Sequence, residues 1–424
     1  MKKILLLFIL CLALPSLLAA QDTVQYVDDE SCGCELVFVN GIQTTQQGEL
    51  FGFKREDGSV IVPNKYRFVD KFHGNYCKVY LDYNQCGLID RNGNEIIPCL
   101  YTDVNYPTDG MILVQQDSLY GFFDTTGRQR VPFVYRAAST YSEGTAVVAI
   151  DVDSTFVGYG FIDHDGNIVI PPTFEYALPY SEGFAVVKNY DRYGMIDRTG
   201  REVFPIKFEI LTPVFEGLFF AGDDDGLALY NSKFRQLTKP IYTSLEDKTE
   251  DRILVSRNGK FGFLDEKGNE IIPCQYDQAG LFKEGRTYVS INNKWGIIDR
   301  QGRTILPIEY DNSGFRSQLY IYHEGLALIE KLGQYGFVDL EGHFLIYPCF
   351  DDAYHFADGL APVHVGLWGY IDTKGDFFIP PTFDIASPFE WGRAEVIYRG
   401  EIHKMNTEGK CVKNCKKAPK SWRQ

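Results

Sequence analysis

Eight aspartates recur at one phase of the chain: Asp90, Asp124, Asp163, Asp197, Asp265, Asp299, Asp339 and Asp372. Carboxylate oxygens are ligands for hard cations, so a calcium-binding array is one chemistry for such a series. The other is turn closure. Each Asp is followed three residues on by Gly, and Asp-x-x-Gly is turn chemistry: Asp bonds backbone donors and Gly takes a positive φ. One carboxylate per unit falls short of the roughly six to eight oxygens calcium takes, so turn closure is the expectation. Seven histidines, at 73, 164, 323, 343, 355, 364 and 403, share no phase. The sequence has no nucleophile elbow, no metal-ligand pair at helical spacing and no phosphate-cradling loop. Acid pairs such as Asp311 and Glu324 cannot be set at a glycosidase separation from sequence. The expectation is therefore no catalytic, cofactor-binding or metal site, no cofactor, and no enzyme.

Ten cysteines include Cys11 near the start. Cys99, Cys274 and Cys349 each follow a proline at the same phase, which suits small buried apolar positions. Cys32 and Cys34 near the start, and Cys411 and Cys415 near the end, suit disulfides if the chain is exported. A zinc site drawn from both pairs is the rival. Its spacings are poor, and the ends of a solenoid lie far apart. Cys77 and Cys86 fall within reach of one hairpin. Trp391 and Trp422 stand outside the repeated pattern, as sugar-stacking platforms or as ordinary packing.

The first 20 residues read as an export signal. Lys2 and Lys3 precede an apolar run from Ile4 to Leu14, and small residues follow, with cleavage expected after Ala20. The run is too short for a membrane anchor, which needs about 20 apolar residues. The expected destination is extracytoplasmic: periplasm, cell surface or medium. The 424-residue chain carries a formal charge of −15, two units more negative once Lys2 and Lys3 leave. That sign disfavours nucleic acid, because phosphate binding needs a basic surface. The segment from Lys410 to Arg423 is basic against this acidic body and reads as a flexible tail.

What must position these residues is a repeat of about 34 residues. Its marker is an aromatic, Gly, two apolar residues, Asp, two residues and Gly, as in Trp295-Gly296-Ile297-Ile298-Asp299-Arg300-Gln301-Gly302. First glycines fall at 52, 87, 121, 160, 194, 262, 296, 336 and 369, with Ala228 and His403 in the glycine position of two worn copies. That makes eleven units. A second aromatic recurs at Tyr66, Tyr101, Tyr135, Phe174, Phe208, Tyr242, Tyr276, Tyr310, Phe350 and Phe383. An acidic residue and Gly open the next segment, as at Glu143-Gly144, Glu182-Gly183 and Glu324-Gly325. Alternating β-branched and aromatic residues mark strands, and no sustained helical period is present. The glycine after the aromatic is expected to let a neighbouring repeat's ring pack close, and the second aromatics to stack into a continuous core.

This pattern resembles the WG-repeat family over about residues 45–410. The resemblance implies an all-β repeat protein, often secreted or surface-bound in bacteria, and carries over no catalytic residues. The expected organisation is a signal peptide at 1–20, an N-terminal cap at 21–44 with Cys32 and Cys34, repeats at 45–410 and a tail at 411–424. The expected fold is an all-β tandem-repeat solenoid of about eleven 34-residue units, each with two to three strands. A closed, propeller-like array is the alternative. The expected function is an exported, non-enzymatic scaffold for protein–protein interaction at or outside the cell envelope. A carbohydrate-binding module using exposed aromatics is the alternative, with a cell-surface glycan as partner. Neither nucleic acid nor a membrane span is expected.

Overall fold

The computed structural model describes residues 24–29, 34–154, 156–213, 215–311, 322–415, 418, 419, 421 and 422. The expected signal peptide and Cys32 lie outside them.

Every regular element in the described residues is a strand, and the strands form eleven separate antiparallel sheets in chain order. The eighth sheet shows the plan. Its strands are Gln278–Ala279, Arg286–Ile291, Lys294–Asp299 and Thr304–Tyr310, each hydrogen-bonded to the next in sequence. Each typical unit thus has four strands, one more than the alternation of its residues suggests. The extra strand is only two residues long, too short to show a period-2 pattern. The sixth sheet, in the worn unit around Ala228, keeps three strands. The first sheet gains a fifth through a hairpin of Val24–Asp29 and Cys34–Val39.

A single residue usually joins the fourth strand of one sheet to the first strand of the next. Glu202–Phe208 is followed after one residue by Ile210–Leu211, and Glu270–Tyr276 in the same way by Gln278–Ala279. The strand therefore bends and changes sheet without leaving the surface of the array. The linking residue keeps its N–H bonded in the new sheet: Asp277 donates to the Ser290 carbonyl at 2.8 Å and Arg136 to that of Ala149 at 2.8 Å.

The marker glycine has a different cause from the one expected. A Cβ on Gly262 would sit 2.5 Å from the Ile272 carbonyl oxygen and 2.6 Å from the Cys274 nitrogen. The obstacle is the backbone of the fourth strand in the same sheet, not a neighbouring repeat's ring. The pairing is irregular there, shifting between Phe261 and Phe263. Gly52, Gly87, Gly296, Gly336 and Gly369 meet the same carbonyl at 2.5–2.6 Å.

The core does run from sheet to sheet. One apolar cluster joins Leu254, Phe263, Ile272 and Tyr276 of the seventh sheet to Leu281, Phe282, Val289 and Ile298 of the eighth. The second aromatics do not stack in a single column, however. Most pair across strands with the marker aromatic of their own sheet, as Trp295 with Tyr310 and Trp368 with Phe383, while Tyr101 stands opposite Cys86 and Tyr242 opposite Leu227. The ring contact between neighbouring units is a different one. The residue after the marker glycine meets an aromatic 19 positions later. Phe53–Phe72, Phe122–Tyr141, Phe263–Phe282, Phe337–Phe356 and Tyr370–Phe389 are edge-to-face pairs with centroids 4.8–5.3 Å apart. Phe161–Tyr180 has the same spacing, tilted, at 4.9 Å. In the Tyr versions the hydroxyl also donates to the Asp-turn carbonyl, Tyr141 to Asp163 at 2.7 Å and Tyr180 to Asp197 at 2.9 Å.

The two ends of the array meet. Cys34–Val39 of the first sheet lies against Cys411–Lys413 of the eleventh. The Lys71 ammonium sits 4.9 Å from the centre of the Trp391 ring. The ends are thus not remote from each other, as a straight solenoid would leave them.

Candidate functional site

The aspartate ladder closes turns. Asp163 Oδ1 accepts the N–H groups of Asp165 at 3.0 Å and Asn167 at 2.9 Å, and Asp299 Oδ1 those of Gln301 and Arg303 at 2.9 Å. The other six behave alike, Asp90 Oδ1 with Asn92 and Asn94 and Asp372 Oδ1 with Lys374 and Asp376 among them. Asp197 is held below the usual carboxylate range chiefly by the Thr199 hydroxyl; burial opposes this, and the Thr199 and Arg201 N–H groups add to the lowering. One turn brings Asp339, Glu341 and His343 within metal-ligand reach of one another. There the Asp339 carboxylate already accepts from Glu341 and His343.

The acidic–Gly pairs do something that sequence reading missed. Glu143 and Gly144 both have positive φ, 52° and 86°, the twist a tight hairpin turn requires. Left-handed backbone is costly for Glu. Its carboxylate explains its presence: Glu143 Oε2 accepts the Gly183 N–H of the next unit's turn at 3.0 Å. Five further links repeat the geometry, from Gly144 to Asp109, Gly217 to Glu182, Gly285 to Glu250, Gly359 to Glu324 and Gly392 to Asp358, at 2.6–2.9 Å. Arginine adds a second tie in places. Arg198 donates to Glu143 Oε2 at 2.6 Å and Arg300 to Glu250 Oε2 at 2.8 Å. An acid persisting at a position that favours Asn or Gly was the available signal.

In these six links the acid bonds the turn of the next unit. In the eleventh unit the acid is replaced by Trp391, φ 51°, followed by Gly392. Among the described residues no further turn of this kind follows it. Trp391 is 48% exposed and borders a cleft of about 760 Å³ with His355, Ser387, Phe389, Glu390, Arg393, Glu395, Lys404 and Lys413. Trp422, by contrast, is 6% exposed and packs on Phe383, Tyr398 and His403, so it is no platform for a sugar. Nor is the basic tail wholly loose. Cys411–Lys413 is the last strand of the eleventh sheet, and the Trp422 N–H donates to the Gly409 carbonyl at 2.8 Å.

His355 stacks on His323, with centroids 4.1 Å apart. Burial pushes His323 down to about 4, and the neighbouring His355 and Lys283 add to it. His355 is lowered by burial and Lys283, with Glu324 opposing. Both rings are neutral near pH 7.

The remaining sequence expectations separate. Cys411 and Cys415 are disulfide-bonded. Cys77 and Cys86 are both free and buried and do not bridge. Cys77 stands opposite Ile89 and Cys86 opposite Tyr80, on different positions of the hairpin. Cys99 is buried as expected, Cys274 is half-buried and Cys349 is exposed. Asp311 and Glu324 are each engaged elsewhere, Asp311 with Lys294 and the Leu332 N–H, Glu324 with Gly359.

Eight matches to the model of the WG containing repeat fall at residues 87–120, 120–151, 159–193, 193–225, 261–295, 295–334, 335–366 and 368–400. The chain belongs to the WG containing repeat family. It is an all-β tandem-repeat protein. No curated protein matches it. Among solved structures it is similar to a eukaryotic initiation factor, at 10% identity and a TM-score of 0.40, over 63% of this chain and 86% of that one. It is similar to BamB from Moraxella catarrhalis at 12% identity and 0.31, over 71% and 94%. It is similar to the WD40 β-propeller domain of Doa1 at 10% identity and 0.26, over 53% and 89%. At these scores the likenesses carry no argument about fold or function. No helix among the described residues is long and apolar enough to cross a membrane.

Proposed function

We propose that this WG-repeat protein is an exported, non-enzymatic scaffold that binds a protein partner at or outside the cell envelope. The observation that carries the reading is at the hairpin tips between second and third strands. Tyr190 and Leu332 occupy left-handed positions there, φ 49° and 56°, where Asn or Gly would be relaxed. They are 90% and 87% exposed. Tyr83, at the same tip of the second sheet, is 72% exposed. Large apolar side chains held out on turns of a rigid array suit contact with a partner. The export signal at residues 1–20 and the cysteine pairs at the two ends support the extracytoplasmic setting.

The test is affinity capture from an envelope extract of the source cells with residues 21–424 as bait, beside a Tyr190→Asn/Leu332→Asn variant. One protein enriched at fixed stoichiometry by the first and lost by the second, at unchanged melting temperature, is the expected result. Equal capture by both baits contradicts the role of the tips. Absence of any enriched protein contradicts the scaffold.

Trp391 favours a second reading, carbohydrate binding. It is the one candidate platform of the two tryptophans outside the repeat marker that is exposed, and it borders a cleft.

A further inference from the structure

We infer that the Trp391 cleft takes an anionic saccharide, a sugar chain bearing carboxylates. This rests on the carbohydrate reading of Trp391 and gives it a ligand class. The outer face of the eleventh sheet is where the inference begins. Glu395 is opposite Lys404, and Lys404 is directly opposite Lys413, across three adjacent strands. Glu395 and Lys404 occupy positions held in the fifth sheet by the buried Val186 and Met195. Here all three side chains are exposed and line the cleft.

Like charges directly opposite in a sheet repel. Neither Lys404 nor Lys413 forms an ion pair with a described residue. A polar face is enough to cap a repeat array, and alternating signs would cap it without repulsion. The lysine pair is a local conflict that a bound carboxylate relieves. Arg393 is a third cation in the cleft wall, and Lys71 lies over the Trp391 ring. Against these stand Glu390 and Glu395. The wall is therefore net positive in a chain of net charge −15. Cations select an anion, and an exposed indole beside them offers the flat apolar face on which a pyranose ring stacks. His355 is neutral near pH 7 and is left as a hydrogen-bonding group at the margin.

The test is titration of residues 21–424 with three probes of matched length: an oligogalacturonate, a neutral glucose oligomer and poly-glutamate. Calorimetry and tryptophan fluorescence are the readouts. The oligogalacturonate binds, and binding weakens with salt. Lys404→Gln and Lys413→Gln each weaken it by roughly tenfold, the loss of one charge-assisted bond. Trp391→Asn, which keeps the left-handed turn, removes it. The lysines are exposed, so both variants melt as the parent does. Equal binding of the neutral oligomer, unaffected by the lysine variants, overturns the charge selection and leaves the sugar reading standing. Equal binding of poly-glutamate with no effect of Trp391→Asn overturns it in favour of an acidic peptide. Binding of none of the three overturns both.

Discussion

At the scale of single residues, two acidic series look alike in sequence and do different work. The Asp of each Asp-x-x-Gly folds back on its own turn. The acid at six of the acidic turns, Glu143 among them, reaches forward to a glycine N–H of the next unit. The first role was legible because turn chemistry is local. The second joins residues 34 to 40 positions apart, and nothing in a single turn announces it. Glu143→Ala removes the acceptor of both the Gly183 N–H and Arg198. A loss of about 1–3 kcal/mol is expected in a denaturant titration, with the slope unchanged. Gly262→Ala should be worse, because the added methyl meets backbone that has no rotamer to escape into. The histidine pair sets a pH dependence. His323 in the folded protein titrates near 4, below its ordinary 6.5, so the unfolded chain binds the proton more tightly. Stability is then full above about 6.5 and declines as pH falls toward 4. Melting temperatures measured from pH 7 to 4.5 should fall, and should fall less in His323→Gln. The lowered aspartates do not contribute in that window, since their protons bind below it.

At the scale of elements, the unit is a four-stranded sheet whose neighbours complete its core. The long strands were legible from alternation and from the turns that bound them. The two-residue first strand was not, because it is defined only by its pairing, as Gln278 with Ser290 and Ala279 with Val289. The core residues were recognised as a set, but their partners were misassigned: the second aromatic pairs within its sheet, and the ring contact between units is made 19 residues downstream of the marker. Phe282 is the eighth sheet's half of one such pair, buried against Phe263 at 4.8 Å. Phe282→Ala should cost about 3–5 kcal/mol. In an array that couples mainly neighbours, the damage stays local. Hydrogen exchange should quicken in sheets seven and eight and hardly change in sheets two and three. Uniform quickening would show a single cooperative block instead.

At the scale of the whole molecule, eleven sheets form one array that returns on itself. The repeat count and the all-β character were legible, because a pattern recurring in phase leaves little else. The meeting of the ends was not, since curvature accumulates from small rotations that no residue encodes alone. The Asp358–Gly392 link and then Trp391 mark where the forward series stops, beside Lys71 near the other end. Trp391, which Lys71 meets there, also borders the cleft of the tenth and eleventh units. The measurement that tests the returning array most directly is small-angle X-ray scattering of residues 21–424. Eleven sheets stacked straight at about 10 Å spacing would reach roughly 100 Å or more. Ends that meet require a pair-distance distribution that closes well short of that length. A distribution with a tail extending to it would contradict the returning array.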